Sequence, residues 1–329
     1  MKELSPRDQS HAGNHPGPTG LVLRSTGSWY EVMEMSSGTV ISCRIQGKLK
    51  TRGERATNPI AVGDYVLLQK QDEEKTGLIT DRLERRNSMV RKSVNLSKET
   101  HVVAANLDRA FLIATVAQPA TSTGFMDRFL VTAQAYQVPV TIVFNKVDVC
   151  PEGSPERDQL EYLEGVYHTA GIPTLRTSAT TGEGLDELTR ELAAAGVNLL
   201  SGHSGVGKST LINALLPGVD LRTGEVSDAH QKGKHTTTFA EMFPLPTGGF
   251  IIDTPGIKGF GLVHLERDHL HHYFPEIFDK LDGCKFHNCL HRNEPHCAVK
   301  KAVEAGEIAE ERYLNYIELY ETFESNSYR

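Results

Sequence analysis

The nine residues Gly202–Thr210 read GHSGVGKST and match the phosphate-binding pattern G-x-x-x-x-G-K-S. Across Gly202, His203, Ser204, Gly205, Val206 and Gly207, such a loop turns successive backbone N–H groups toward a phosphate. The loop ends at a helix start, where the dipole favours anions. Lys208 is then placed to reach the β- and γ-phosphates, and Ser209, followed by Thr210, to set its hydroxyl on Mg²⁺. A chance glycine-rich turn would lack the flanking context, whereas here VNLL precedes the loop as a strand and STLINALL follows as a helix. The position is unusual. Such a loop normally opens its domain, and this one lies about two thirds of the way along 329 residues.

Three further motifs end apolar runs around it. NKVD, Asn145–Asp148, follows VPVTIVF. An Asp148 carboxylate can accept from both N1–H and N2–H₂ of guanine, a donor pair adenine lacks, so the wrong base leaves a charged group unpaired. Asn145 would brace this loop, the Lys146 stem could cover the base, and Val147 completes the motif. TSA, Thr177–Ala179, offers backbone N–H groups, with Ser178 and Ala179 as candidates, to guanine O6. DTPG, Asp253–Gly256, follows GFIID and supplies Asp253 to hold Mg²⁺ and a Gly256 N–H for the γ-phosphate. Each is weak alone, but together they make accident untenable. Only their order is foreign: NKVD, TSA, phosphate loop, DTPG. Domain termini often lie close together and permutation is tolerated at exposed sites, so a circular permutation explains the order, with ELAAAGVNLL as the new join.

Between the phosphate loop and DTPG lies AHQKGKHTTTFAEM. A switch needs a threonine for Mg²⁺ and the γ-phosphate. Thr236, Thr237 and Thr238 all qualify, and Thr237 stands for them in the candidate site. Ile257 occupies the place after D-x-x-G where many GTPases carry a water-orienting glutamine, so intrinsic hydrolysis is expected to be slow. His235 is the candidate replacement, against the alternative of a surface histidine without a catalytic part.

From 99 to 265, apolar strands alternate with helical patterns such as FMDRFLVTAQAYQ and PERDQLEYLEGVYHTAG, the signature of a parallel α/β sheet. Residues 20–98 instead carry about five short strands between Gly-containing turns, fitting a small OB-type β-barrel. Residues 1–19 read as a disordered tail without a signal-peptide core. No apolar run reaches the roughly 20 residues that span a bilayer, which points to a cytoplasmic protein with no membrane partner. Net charge is −7, which excludes a generic polyanion binder and leaves any nucleic-acid contact to local patches. Two patches stand out, CRIQGKLKTRGER with Arg44, Lys48, Lys50 and Arg52, and RLERRNSMVRKS with Arg85 and Arg86. A solvated face is the alternative for either.

Residues 266–329 turn His- and Cys-rich and then helical, ending in AVKKAVEAGEIAEERYLNYIELYETF, residues 298–323, with amphipathic spacing. CKFHNCLHRNEPHC places Cys284, Cys289, His291 and Cys297 at C-x₄-C-x-H-x₅-C, a four-ligand set for zinc, with His287 and His296 as rivals that spacing leaves open. No coordination position would remain open, so the metal would be structural, and a disulfide with a spare thiol is the alternative.

With a barrel before it and a Cys/His cluster after it, this motif order resembles the circularly permuted GTPases. Among them it resembles the RsgA (YjeQ) family of small-ribosomal-subunit biogenesis GTPases, from about residue 20 onward. The resemblance implies His291 as the fourth zinc ligand and is in keeping with His235 as the catalytic group. It also implies 16S rRNA of the 30S subunit as partner for a monomer that cycles between GTP and GDP. The expected function is ribosome-stimulated GTP hydrolysis late in 30S maturation, bound with GTP and released after hydrolysis. An RNA-binding scaffold holding GTP as a structural ligand is the alternative, and Asp148 argues against a P-loop kinase or ATPase.

Overall fold

The computed structural model describes residues 17–47, 58–71, 76–92, 100–219, 221, 240–254 and 265–326. The first 16 residues of the expected tail, Lys48, Lys50, Arg52, His235, the three threonines 236–238, Gly256 and Ile257 lie outside them.

Five strands close the N-terminal barrel: β1 (Thr19–Ser25), β2 (Tyr30–Glu34), β3 (Val40–Ile45), β4 (Tyr65–Gln71) and β5 (Thr76–Arg82). They run in the order β1-β2-β3-β5-β4, and β4 pairs back onto β1, the arrangement of an OB-type barrel. Alternation sends Tyr30 and Val32 inward and Glu31 outward. The inward residues join Val22, Cys43, Ile60, Val66, Leu68 and Ile79 in the barrel core. β1 starts at Thr19, so the last residue of the stretch read as tail is already strand.

A hairpin of β6 (Ser88–Lys92) and β7 (Thr100–Ala105) follows and straddles residue 98. Next come β8 (Arg109–Ala114), α1 (Thr123–Ala135), β9 (Val140–Asn145), α2 (Pro155–Thr169), β10 (Thr174–Thr177), α3 (Leu185–Ala195), β11 (Val197–Gly202) and α4 (Lys208–Leu215). Strands β12 (Glu241–Pro244) and β13 (Phe250–Asp253) complete the sheet, in the order β10-β9-β8-β11-β13-β12. Every pairing from β10 to β13 is parallel, and only β12 runs against its neighbour. All six residues of β11 are buried, as expected of a central strand covered on both faces. The permutation join is one residue long: α3 ends at Ala195, Gly196 turns the chain at φ 98°, and β11 begins at Val197. A Cβ on Gly196 would sit 2.6 Å from Asp108 Oδ2, the oxygen that accepts the Val197 N–H.

One feature was not expected from the sequence. Past a bulge between Val22 and Arg24, β1 keeps β2 on one side and takes β12 on the other (Arg24 opposite Glu241), so barrel and α/β sheet form one 11-stranded sheet. Leu21, Val62 and Tyr65 of the barrel share a hydrophobic core with Phe129, Ile142 and Leu199.

The C-terminal region holds a 3-10 segment (Arg267–Tyr273), α5 (Pro275–Phe278), α6 (Ala298–Glu304) and α7 (Glu310–Asn326). The amphipathic stretch 298–323 is thus two helices, parted where Gly306 adopts φ 73°. The region docks on α1 through a buried polar network. Arg312 donates to Asp127 Oδ1 (2.6 Å) and to both oxygens of Glu276 (2.7 and 3.1 Å), while Asn315 donates to Asp127 Oδ2 (2.6 Å). Tyr167 adds its hydroxyl to Asp127 at 3.1 Å. Burial pushes the Asp127 carboxyl up, and Arg312, Asn315 and Tyr167 pull it back down.

Candidate nucleotide site and metal centre

The carboxyl ends of β9, β10, β11 and β13 carry Asn145, Thr177, Gly202 and Asp253, which places all four motifs on one edge, where open α/β sheets bind ligands. At the centre the chain leaves β11 and enters α4 through Gly207, held at φ 86°. A Cβ there would meet Asn145 Nδ2 at 2.6 Å, so the loop's conformation and its contact with the NKVD segment both demand glycine. The α4 amides open toward the phosphate position. Lys208 is buried and donates to Asp253 and to the Thr254 carbonyl (2.6 Å), which brings the loop lysine against the end of β13. Ser209 is half-buried beside it, and Ser204, Gly205 and Thr210 are exposed. His203 packs its ring on Phe125 of α1 with centroids 3.6 Å apart, and burial lowers its pKa.

The base side is tied to this loop. Asn145 Nδ2 donates to the carbonyl of buried Val206 (2.8 Å), and Asn145 Oδ1 accepts from Thr177 Oγ1 (3.1 Å), the bracing expected of Asn145. Lys146 adopts φ 63° and donates to the Gln118 carbonyl at 2.7 Å, which lays its stem along the Gly207 side of the loop. Val147 is buried, while Asp148 is exposed with Oδ1 held by the Ser178 hydroxyl at 2.6 Å. The Ser178 N–H is engaged by the Glu183 carbonyl, so of the two candidate N–H donors only that of Ala179 is not spent in this way. The bracing by Thr177 and Val206 and the contact of Phe125 were not read from sequence. The Thr177 hydroxyl had a signal, since it sits inside TSA; the other two come only from folding.

The second cluster lies between the 3-10 segment and α7. Cys284, Cys289, His291 and Cys297 bring one ligand atom each to within 4.8 Å of all the others. His291 Nδ1 lies 3.3 Å from Cys297 Sγ and 3.6 Å from Cys284 Sγ, against about 3.6 Å between N and S ligands on a tetrahedral zinc. The donor set therefore fits such an ion. His287 and His296 are exposed and outside the group. Tyr313 and Tyr316 of α7 donate to the carbonyls of His291 (2.7 Å) and Leu290 (2.8 Å), and Glu294 accepts the N–H groups of Leu290 and Arg292. Burial pushes the Cys289 thiol up to about 12, raises Cys297 and lowers His291, so without a cation these donors stay neutral.

The basic patches divide. Arg44 is exposed and stacks on Trp29, 3.9 Å from the ring centroid. Arg85, expected at an RNA surface, instead turns its side chain inward, with 6% of it exposed. Its guanidinium binds the Asp64 carboxylate at 2.7 Å, and Asp64 has no exposed surface. Arg86 is half-exposed but spends one nitrogen on Asp108 (2.7 Å) and on the carbonyls of Asn106 and Leu107. Arg85 neutralises the buried Asp64 carboxylate, which needs a paired charge, while Arg86 ties its segment to residues 106–108 at the start of the α/β region.

A parallel sheet with a phosphate loop, a guanine-type base motif that precedes it in sequence, and a barrel in front defines a circularly permuted P-loop GTPase. Residues 82–263 match the family model for the RsgA GTPase, and residues 19–79 that for the RsgA N-terminal domain. The small ribosomal subunit biogenesis GTPase RsgA of Bacteroides fragilis (strain YCH46) is 51% identical over 94% of this chain and 98% of its own. That of Christiangramia forsetii is 48% identical over 93% and 97%. The crystal structure of YjeQ from Thermotoga maritima superposes with a TM-score of 0.74 at 35% identity, covering 93% of this chain and 98% of that one. YloQ, described as a circularly permuted GTPase, gives 0.71 at 28% identity over 96% and 98%. The chain belongs to the RsgA family.

Proposed function

We propose that this GTPase acts on the small ribosomal subunit late in its maturation, binding 30S and its 16S rRNA with GTP and leaving as the GDP form after hydrolysis. The observation that carries the guanine-nucleotide part is Asp148. Its carboxylate is exposed, oriented by Ser178 and tied through Asn145 to the phosphate loop, so base and phosphates are read by one rigid edge. The ribosomal part is supported by the names of relatives that match nearly the whole chain.

In this reading the α4 amides and Lys208 hold the β- and γ-phosphates, and Ser209 with Asp253 holds Mg²⁺, which neutralises charge building on the phosphoryl oxygens. Thr237 closes on the γ-phosphate with the Gly256 N–H. His235 orients the attacking water that Ile257 cannot. Cys284, Cys289, His291 and Cys297 hold one structural zinc. Arg44 with Lys48, Lys50 and Arg52 faces rRNA, and Arg85 does not. The protein works in the cytoplasm as a monomer without a membrane partner.

The test is GTP turnover by the purified chain, with and without 30S subunits and with ATP as control. Strong GTP-selective stimulation by 30S supports the proposal. Slow turnover indifferent to 30S points instead to an RNA-binding scaffold, and turnover of ATP overturns the base assignment.

A further inference from the structure

Two ring nitrogens near the metal centre are buried without a hydrogen-bond partner among the described residues: Nε2 of His291 and Nδ1 of His271. They belong to neighbouring rings, edge to face at 88° with centroids 5.2 Å apart. His291 has no exposed surface and His271 keeps 9%. An imidazole that gives its Nδ1 lone pair to a metal carries its proton on Nε2, and a buried N–H without an acceptor is costly. The Tyr313 and Tyr316 hydroxyls donate to the carbonyls of His291 and Leu290, and neither oxygen is within hydrogen-bond geometry of His291 Nε2. The His271 ring supplies what is missing, a buried acceptor atom with no other use.

We infer that His271 is the positioning residue of the metal centre. In the metal-loaded site its Nδ1 accepts the Nε2–H of His291, a bond the two rings do not make as they stand, and so fixes the tautomer and ring plane in which His291 Nδ1 faces the three cysteine sulfurs. The 3-10 segment makes this possible: Leu270 and Phe274, both fully buried, anchor it on either side, and His272 packs edge-on against His271 at 4.5 Å. The inference rests on the reading of the cluster as a zinc site. It extends that reading from the four ligands to the residue that orients one of them, which in metal sites typically changes affinity by about 10–100-fold.

The test uses the full chain. Zinc stoichiometry of the wild type is measured first, then zinc affinity by competition with a chromophoric chelator, for the wild type, His271→Leu and His271→Asn. Leucine fills the space without an acceptor, whereas asparagine sets an oxygen near the position of Nδ1. The expected result is one zinc per wild-type chain, an affinity lowered about 10–100-fold in His271→Leu, and recovery of most of that loss in His271→Asn. A packing role predicts the reverse order, with leucine tolerated and asparagine worse, and that result overturns the inference. Nitrogen-15 imidazole spectra of zinc-loaded wild type decide the matter even where a variant does not fold. They should show His271 with its proton on Nε2 and an unprotonated Nδ1, and a proton on Nδ1 overturns it. A wild type that binds no zinc removes the metal reading itself, an outcome the stoichiometry separates from the others.

Discussion

A single hydroxyl, that of Ser178, holds the carboxylate proposed to read the base. It holds one oxygen of Asp148 at 2.6 Å, so the carboxylate meets the base already oriented. Ser178→Ala should weaken GTP and GDP binding about tenfold, the low end of a hydrogen bond to a charged group, because Asp148 is exposed. Equilibrium titration with a fluorescent nucleotide reads this directly, and an unchanged affinity would show that Asp148 needs no brace. Cys43 gives a second expectation at this scale. Burial in the barrel core raises its thiol to about 11, leaving about one part in a thousand as thiolate at pH 8. Alkylation of Cys43 at that pH should therefore follow barrel opening, and mass spectrometry should find it unmodified in the native protein. The nucleotide motifs were legible because each is local, a few contiguous residues whose spacing is the chemistry. Arg85 misled for the opposite reason. Its partner Asp64 lies 21 residues away, and nothing in RLERRN tells a buried cation from a solvated one.

Among the elements, α7 does the most joining. Arg312 and Asn315 grip Asp127 on α1, while Tyr313 and Tyr316 staple the loop that carries His291. Arg312→Met leaves Asp127 and Glu276 buried without their cation and should cost about 3–5 kcal/mol in chemical denaturation, with Asp127→Asn and Glu276→Gln in the same chain restoring part of it. A loss below about 1 kcal/mol would mean that water replaces the guanidinium. This network was not read from sequence because its members are 185 residues apart. The trace it leaves is small: one aspartate in the apolar run of FMDRFLV, at a position the helix buries. The helix break at Gly306 had a plainer trace in the glycine itself, overridden by the continuous amphipathic spacing on either side.

For the molecule as a whole, the metal centre and the nucleotide edge belong to different cores. Cys289 and Cys297 pack with Phe274, Tyr316 and Tyr320, whereas Leu200, Val206 and Leu211 lie in a core of their own. On the zinc site proposed for this cluster, chelation of the metal-loaded chain should abolish hydrogen-exchange protection in 284–297 and lower it in α7, with protection of β11 unchanged. Equal loss in both places would show one cooperative unit instead. The barrel, the parallel sheet and their order were all foreseeable from periodicity and motif order. The pairing of β1 with β12 was not, since strand partners so distant in sequence are chosen by the folded surface.

That pairing bears on how the chain can be divided. A GTPase fragment begun at residue 99 would keep every nucleotide motif but lose β1, unpairing Glu241 at the β12 margin of the sheet and baring the apolar surface that Leu21, Val62 and Tyr65 now cover. Such a margin is a template for a second copy, so the excised piece should self-associate through it, while the whole chain carries its own cover.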